Sequence, residues 1–185
     1  MDTAFATTLK SLQNEATRSS STHRTRYAGL SYYWDQASSS WHASILPTVI
    51  AILSISIVAA GLRCTLANSA YNARELAHQY IDSGAVLMLT SEEGLAVARE
   101  TLRDVGFADG QVDKKIVVLG SSLGWADGPI TVRNPEAARL VYMEDLLGLG
   151  TLVEEEKFDG ELAHETLYLC YSSGAFILCR FVCVY

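Results

Sequence analysis

Apolar residues recur at helical spacing in two stretches of the middle of the chain. The first follows Asn72, with Glu75 three residues later, which is the pattern of a capping box at a helix start. The second follows Thr90, with Glu93 three residues later, and reaches Gly106, a residue well suited to end a helix. Two amphipathic helices are therefore predicted between residues 72 and 106. Their core-facing positions are Ala73, Leu76, Ala77 and Tyr80 in the first, and Leu95, Ala98, Leu102 and Val105 in the second.

Short apolar runs accompany these helices at Ala85–Leu89, Lys115–Leu119 and Leu167–Tyr171. Each run is too short for a stable helix and is typical of a buried strand. Leu87 and Val117 lie in the middle of their runs, so they are predicted core residues. Helices that alternate with buried strands indicate an α/β fold, with a mainly parallel sheet flanked by helices.

The segment after the second strand has weaker signals. Gly120–Pro135 contains Gly, Asn and Pro and predicts a loop. Glu136–Leu147 predicts a helix whose apolar end is Val141–Leu147. Glu154–Glu156 is most simply a solvated acidic face.

The most apolar stretch is Ile45–Leu62, eighteen residues without a charge. One interpretation is a helix buried against the sheet. The other is a single transmembrane helix, because this length is at the lower limit for crossing a bilayer. Under the second interpretation the chain would be a non-catalytic, membrane-associated protein anchored by Ile45–Leu62.

Composition and charge exclude some function classes. The chain has 185 residues and a net charge of −7, with nine Lys or Arg against eighteen Asp or Glu in residues 45–166. An acidic surface of this kind argues against nucleic-acid binding, which needs clustered basic residues. Residues 1–44 are rich in Ser and Thr and poor in aliphatic residues, so this segment is predicted to be poorly ordered.

The cysteines indicate a reduced, intracellular setting. None of them forms a Cys-x-x-Cys pair, and no histidine stands at metal-ligand spacing from one, so no metal site is predicted. Three lie in apolar runs, where a free thiol behaves as a small hydrophobic group. The four are Cys64, Cys170, Cys179 and Cys183.

The strand at Leu167–Tyr171 runs into Ser172, Ser173 and Gly174. Small residues after a strand let backbone N–H groups approach phosphate oxygens, and the two hydroxyls add donors. The same three residues are also common in an ordinary turn.

Two separated segments resemble adenylate-forming (AMP-binding) enzymes of the acyl- and aryl-CoA ligase type. Tyr168–Gly174 is similar to the strand that enters the ATP phosphate loop of that family. Ala60–Tyr71 and Asp82–Ala85 are similar to an earlier segment, with fungal relatives of 4-coumarate–CoA ligase as the nearest likeness. The resemblance implies that residues 45–174 are part of the large N-terminal domain of such an enzyme, with residues 175–185 as an unrelated apolar tail.

The same resemblance implies ATP, Mg²⁺ and CoA as cofactors or substrates, and a carboxylic acid as the molecule that is activated. Ser172, Ser173 and Gly174 would begin the phosphate loop, and Arg180 stands at the position of its basic residue. Ala175, however, stands where the family has a threonine, so this fragment is expected to be inactive alone and to bind none of these ligands tightly. The family likeness places the protein in the cytoplasm or a peroxisome, and leaves its oligomeric state open.

Overall fold

The computed structural model describes residues 29–33, 42–68, 70–120, 130, 132–147 and 154–171. Residues 29–33, 42–50 and Glu161 are described by their backbone alone. The strands form one six-stranded sheet in which every pair of neighbours is parallel. They are β1 (Gly29–Tyr33), β2 (Cys64–Leu66), β3 (Ala85–Ser91), β4 (Ile116–Leu119), β5 (Val141–Tyr142) and β6 (Tyr168–Leu169), in the order β5-β4-β3-β1-β2-β6.

The helices connect these strands as crossovers, which parallel strands require. They are α1 (His42–Ala59), α2 (Ala73–Asp82), α3 (Leu95–Val105), α4 (Asp109–Val112) and α5 (Met143–Leu147). Short 3₁₀ turns occupy Asp113–Lys115, Pro135–Ala137 and Gly160–His164. The predicted α/β fold with a mainly parallel sheet is confirmed.

A hydrophobic core lies on each face of the sheet, because successive side chains of a strand point to opposite sides. Leu87 and Leu89 of β3 belong to the core that contains Ile57 of α1 and Leu146 of α5. Met88 belongs to the opposite core. That second core also contains Leu76 of α2 and Leu102 of α3. Burial of Leu87 and of Val117, which are 3% and 5% exposed, confirms both predicted core positions.

Two predicted helix ends are confirmed in detail. The Asn72 side chain accepts a hydrogen bond from the Glu75 backbone N–H, and the Glu75 side chain accepts one from the Asn72 backbone N–H. This reciprocal pair is the predicted capping box. Gly106 ends α3 with φ of 106°, a left-handed conformation that favours glycine.

The second predicted capping box is wrong. Thr90 and Ser91 remain in β3, where they pair with β4, and α3 begins instead after Gly94 without a side-chain cap. Ser91 Oγ accepts a hydrogen bond of 3.3 Å from the Gly94 N–H in the turn between strand and helix. Pairing with a neighbouring strand therefore prevails over the local capping pattern.

The predicted helix over Glu136–Leu147 is also wrong in most of its length. The structure has a 3₁₀ turn at its start, then β5, and only the last five residues form a helix, α5. Val141 and Tyr142 pair with Val117 and Val118 of β4. This backbone pairing provides hydrogen bonds that compete with a helix in a segment of weak periodicity.

The sequence gives no sign of β1 and β2. β1 lies inside residues 1–44, for which no element is predicted, yet it pairs with both β2 and β3 in the interior of the sheet. β2 has three residues, too few to show a pattern. The proposed division of the chain into residues 1–44, 45–174 and 175–185 stays a prediction.

Helix α1 covers most of the apolar stretch Ile45–Leu62. Ile57 is buried in the core beneath the sheet, as expected for a helix packed on it, whereas Ile52 and Ile55 are exposed. Within the described part of the chain, no helix is long and apolar enough to cross a membrane.

Candidate functional site

The carboxyl ends of all six strands lie along one edge of the sheet, since all strand pairs are parallel. Ligands of open α/β sheets usually bind outside this edge. β6 stands at one end of the strand order, and Cys170 and Tyr171 follow it. The predicted phosphate-loop residues come next in the sequence.

Two contacts join β6 to the neighbouring strand β2. The Cys64 N–H donates a hydrogen bond of 2.9 Å to the Leu167 carbonyl oxygen. The Thr65 hydroxyl donates one, also of 2.9 Å, to the Leu169 carbonyl oxygen. These bonds set the register in which Cys64 faces Tyr168 and Thr65 faces Leu169.

An ion pair before β6 and a side-chain hydrogen bond after it also hold this part of the chain in place. The Arg63 guanidinium forms an ion pair with the Glu165 carboxylate three residues before the strand. The Tyr171 hydroxyl donates a hydrogen bond of 2.7 Å to Asp82 Oδ2, at the end of helix α2. The chain is therefore held on both sides of β6, up to the residue that precedes Ser172.

The predicted site residues Ser172, Ser173, Gly174 and Arg180 lie outside the described residues. Their assignment as a phosphate loop stays a prediction. What the structure adds is the position of the strand that leads to them.

A second polar cluster, at the carboxyl ends of β3 and β5, is absent from the predictions. Tyr142 donates from its hydroxyl to Glu92 Oε1 at 2.7 Å, and the Asn134 N–H donates to the same oxygen at 3.3 Å. Burial, followed by the hydrogen bond to Glu92, raises the pKa of Tyr142 well above its usual value. Tyr142 is therefore a neutral hydrogen-bond donor at physiological pH.

Arg133 completes this cluster. Its guanidinium donates two hydrogen bonds to the Asp145 carboxylate, at 2.6 and 3.1 Å, and lies 4.3 Å from the centre of the Tyr142 ring. The hydrogen bond from Arg133 lowers the pKa of Asp145. Both contacts fix Arg133 in place, as expected for a bidentate guanidinium stacked on an aromatic face.

Gly120 lies directly after β4, and because it has no side chain, Tyr142 and Glu144 can approach its backbone closely. A Cβ atom at this position would lie 3.1 Å from Tyr142 Cδ1 and 3.2 Å from Glu144 Oε1. Arg133 forms ion pairs with the Asp145 and Glu144 carboxylates, whereas Glu144 Oε1 is buried and has no hydrogen-bond partner among the described atoms. The hydrogen bonds of the cluster join the segments around residues 92, 133 and 142. A sequence pattern could not show this cluster, because its partners are separated by up to 50 positions.

Metal binding gains no support from the described part of the chain, and neither does nucleophilic chemistry at Cys64. It contains no group of three or more His, Cys, Asp or Glu side chains that could hold a metal ion. Cys64 is buried, and burial raises the pKa of its thiol to about 11. A thiol in this state is a poor nucleophile, because the thiolate is the reactive form.

Comparison with known proteins gives a likeness in fold alone. No protein-family profile matches the chain, and no curated protein matches it. Among solved structures, the apo structure of MbtA from Mycobacterium smegmatis matches 90% of this chain, with 18% identity and a TM-score of 0.50. The chain therefore shares the fold of the matched part of that structure.

Two further solved structures share the fold. A natural red-emitting luciferase from Phrixothrix hirtus matches 92% of this chain, with 15% identity and a TM-score of 0.53. The luciferase-like enzyme from the nonluminescent mealworm Zophobas morio matches 94%, with 14% identity and a TM-score of 0.51. The matched regions are 26%, 28% and 33% of the three longer chains, so this chain spans about a quarter to a third of their length.

Proposed function

We propose that the chain contributes part of the large N-terminal domain of an adenylate-forming enzyme, namely the sheet that leads into its ATP phosphate loop. The observation that supports this proposal is the position of β6 at the end of a parallel sheet, with Ser172, Ser173 and Gly174 following it. Small residues after the carboxyl end of a strand suit phosphate binding, because successive N–H groups can converge on the phosphate oxygens.

The reaction proposed for a complete protein of this kind is the activation of a carboxylic acid. A carboxylate oxygen attacks the α-phosphorus of ATP, the bond to pyrophosphate breaks, and an acyl-adenylate results. Mg²⁺ would offset the negative charge of the phosphates. In a second proposed step the thiol of CoA attacks the acyl carbon, the bond to the phosphate breaks, and AMP leaves. This step rests on the sequence resemblance at Tyr168–Gly174 and Ala60–Tyr71.

This chain alone is expected to lack ligase activity. Ala175, Phe176 and Ile177 stand where the resemblance implies threonines and a glycine. A β-branched isoleucine disfavours the positive φ that a glycine adopts in such loops. Arg180 retains a positive charge that can contact phosphate.

An NMR titration of the isotope-labelled full chain with Mg-ATP tests the proposal. Up to about 10 mM ligand is needed, since the expected affinity is weak. Amide shifts should concentrate at Ser172, Ser173 and Gly174, and pyrophosphate should produce them whereas adenosine should not. The double change Ser172→Ala and Ser173→Ala removes two hydroxyl donors and keeps the backbone N–H groups, so it should make the shifts smaller at every ligand concentration.

A second Ser-Ser pair provides the control. Ser121 and Ser122 follow Gly120 after β4 in a similar local sequence. The double change Ser121→Ala and Ser122→Ala should leave the Mg-ATP shifts at residues 172–174 unchanged. Absence of those shifts in the unchanged chain, or equal shifts with adenosine, would contradict a phosphate loop.

A further inference from the structure

Strand β6 has little backbone pairing of its own. Two of its residues are in register with β2, and among the described strands β2 is its only neighbour. A strand with two paired residues on one side has few backbone hydrogen bonds to hold it against the sheet. The position of the strand must therefore depend on additional contacts.

A buried hydrogen-bond network supplies such contacts. Gln79 of α2 donates from Nε2 to the Thr65 hydroxyl oxygen at 2.8 Å, and Thr65 donates to the Leu169 carbonyl oxygen at 2.9 Å. Gln79 Nε2 also lies 3.2 Å from the Leu66 carbonyl oxygen, which it can reach as a second acceptor. The network thus runs from helix α2 through β2 to the second residue of β6.

The burial of this network distinguishes it from surface contacts. Thr65 is 0% exposed and Gln79 is 2% exposed. Gln79 Oε1 has no hydrogen-bond partner among the described atoms. The NH₂ group of the buried side-chain amide therefore has partners, and its oxygen has none. An apolar residue would avoid this unfavourable desolvation, and an incompletely satisfied buried group calls for a specific reason.

We propose that Thr65 and Gln79 are positioning residues for β6, and through it for the start of the loop at Ser172. This inference rests on the proposed function, since it assigns the network to the site at which that loop would bind phosphate. The capping box at Asn72 fixes the beginning of α2, so Gln79 projects from an element that is itself anchored. Gln79 holds the Thr65 hydroxyl, and the hydrogen bond from that hydroxyl holds the Leu169 carbonyl group of β6 in place.

Hydrogen exchange of the full chain, followed residue by residue, tests this role. Thr65→Val preserves the shape of the side chain and removes the hydroxyl. Protection of the amides at residues 167–171 should fall about tenfold, the factor expected when one buried hydrogen bond is lost and its partner is left unpaired. Thr65→Ser retains the hydroxyl and should restore protection.

Thr101→Val is the matched control. Thr101 is also fully buried, and its hydroxyl also donates to a backbone carbonyl, that of Ala73, at 3.3 Å. This change should lower global stability without a selective loss of protection at residues 167–171. If Thr65→Val does not give a folded chain, Gln79→Met, which removes the donor to Thr65 but keeps the bond from Thr65 to Leu169, should lower protection at residues 167–171 selectively and by a smaller factor.

The outcomes separate the inference from the proposed function. Equal protection at residues 167–171 in Thr65→Val and in the unchanged chain overturns the inference, as does an equal local loss in Thr101→Val. Failure of Thr65→Ser to restore protection also overturns it. If the exchange pattern holds but Mg-ATP shifts no amide at residues 172–174 of the unchanged chain, the positioning of β6 is supported and the phosphate-loop function is overturned.

Discussion

The Tyr142 hydroxyl donates a hydrogen bond of 2.7 Å to Glu92 Oε1, and so joins the end of β5 to the turn after β3. The Arg133 guanidinium stacks on the Tyr142 ring, 4.3 Å from the ring centre. β5 has two paired residues and stands at one end of the order of the described strands. As at β6, a short strand is held by side chains as well as by its backbone ladder.

Tyr142→Phe should lower the free energy of unfolding by about 1–2 kcal/mol. The change leaves the Glu92 carboxylate without its hydroxyl donor, and a hydrogen bond to a charged group contributes more than a neutral one. Urea unfolding followed by circular dichroism measures the difference. Tyr71→Phe is the control, because Tyr71 packs against the same core and is partly buried. Equal losses in the two variants would show that the hydrogen bond to Glu92 adds little.

Leu87→Ala and Val117→Ala should each lower the free energy of unfolding by about 2–4 kcal/mol. Both side chains are buried in the core between the sheet and α1, and truncation there removes apolar contacts and leaves a cavity. Val132→Ala is the control, since Val132 is 94% exposed and surface substitutions usually change stability by less than about 0.5 kcal/mol. A change of that small size at Leu87 or Val117 would contradict the observed burial.

Stability should fall at alkaline pH through Tyr80. Burial raises the pKa of the Tyr80 hydroxyl far above the value of about 10 that it has in an unfolded chain. The unfolded chain therefore loses this proton first, so the contribution to stability is complete below about pH 10 and declines above it. Urea unfolding at several pH values should show a smaller alkaline decline in Tyr80→Phe than in the unchanged chain.

The same variant should be harmless at neutral pH. The Tyr80 hydroxyl oxygen is buried and has no hydrogen-bond partner among the described atoms. Replacing an unpaired buried hydroxyl by hydrogen removes a desolvation penalty, so stability at pH 7 should be unchanged or higher. A clear loss of stability at pH 7 in Tyr80→Phe would reveal a partner for this hydroxyl.

The sequence predicts well those elements that are determined by residues close to one another in the chain. The α2 start depends on Asn72 and Glu75, which contact each other within one helical turn, and the α3 end depends on Gly106 alone. β3 and β4 are recognised because each contains a run of four or more consecutive apolar residues, Ala85–Leu89 and Ile116–Leu119, of which all but Val86 are buried. In each case the deciding interaction is present in a short window of sequence.

The elements that the sequence does not predict depend on distant partners. β5 becomes a strand only because Val141 and Tyr142 pair with β4, and Thr90 stays in β3 because of the same neighbour. The contacts at the candidate site are also long-range: Thr65 with Leu169, and Tyr171 with Asp82. No local pattern could place these pairs together.

The full chain should bind Mg-ATP no more tightly than about millimolar, roughly −4 kcal/mol. A phosphate loop needs small residues on both sides of its turn, so that several N–H groups can point at the same oxygens. Ser172, Ser173 and Gly174 provide the first side. The second side is Phe176–Leu178, three large apolar residues that favour extended structure and suit a charged ligand poorly.

Arg180 should not offset this deficit. A single exposed cation beside an anion contributes about 1 kcal/mol or less in water. Calorimetric titration of Mg-ATP into the purified chain measures the affinity, with the double change Ser172→Ala and Ser173→Ala as the comparison. Low-micromolar binding that this double change abolishes would contradict the prediction. It would mean that residues 175–180 complete a working loop, because the first three residues alone offer too few donors to hold a triphosphate at that affinity.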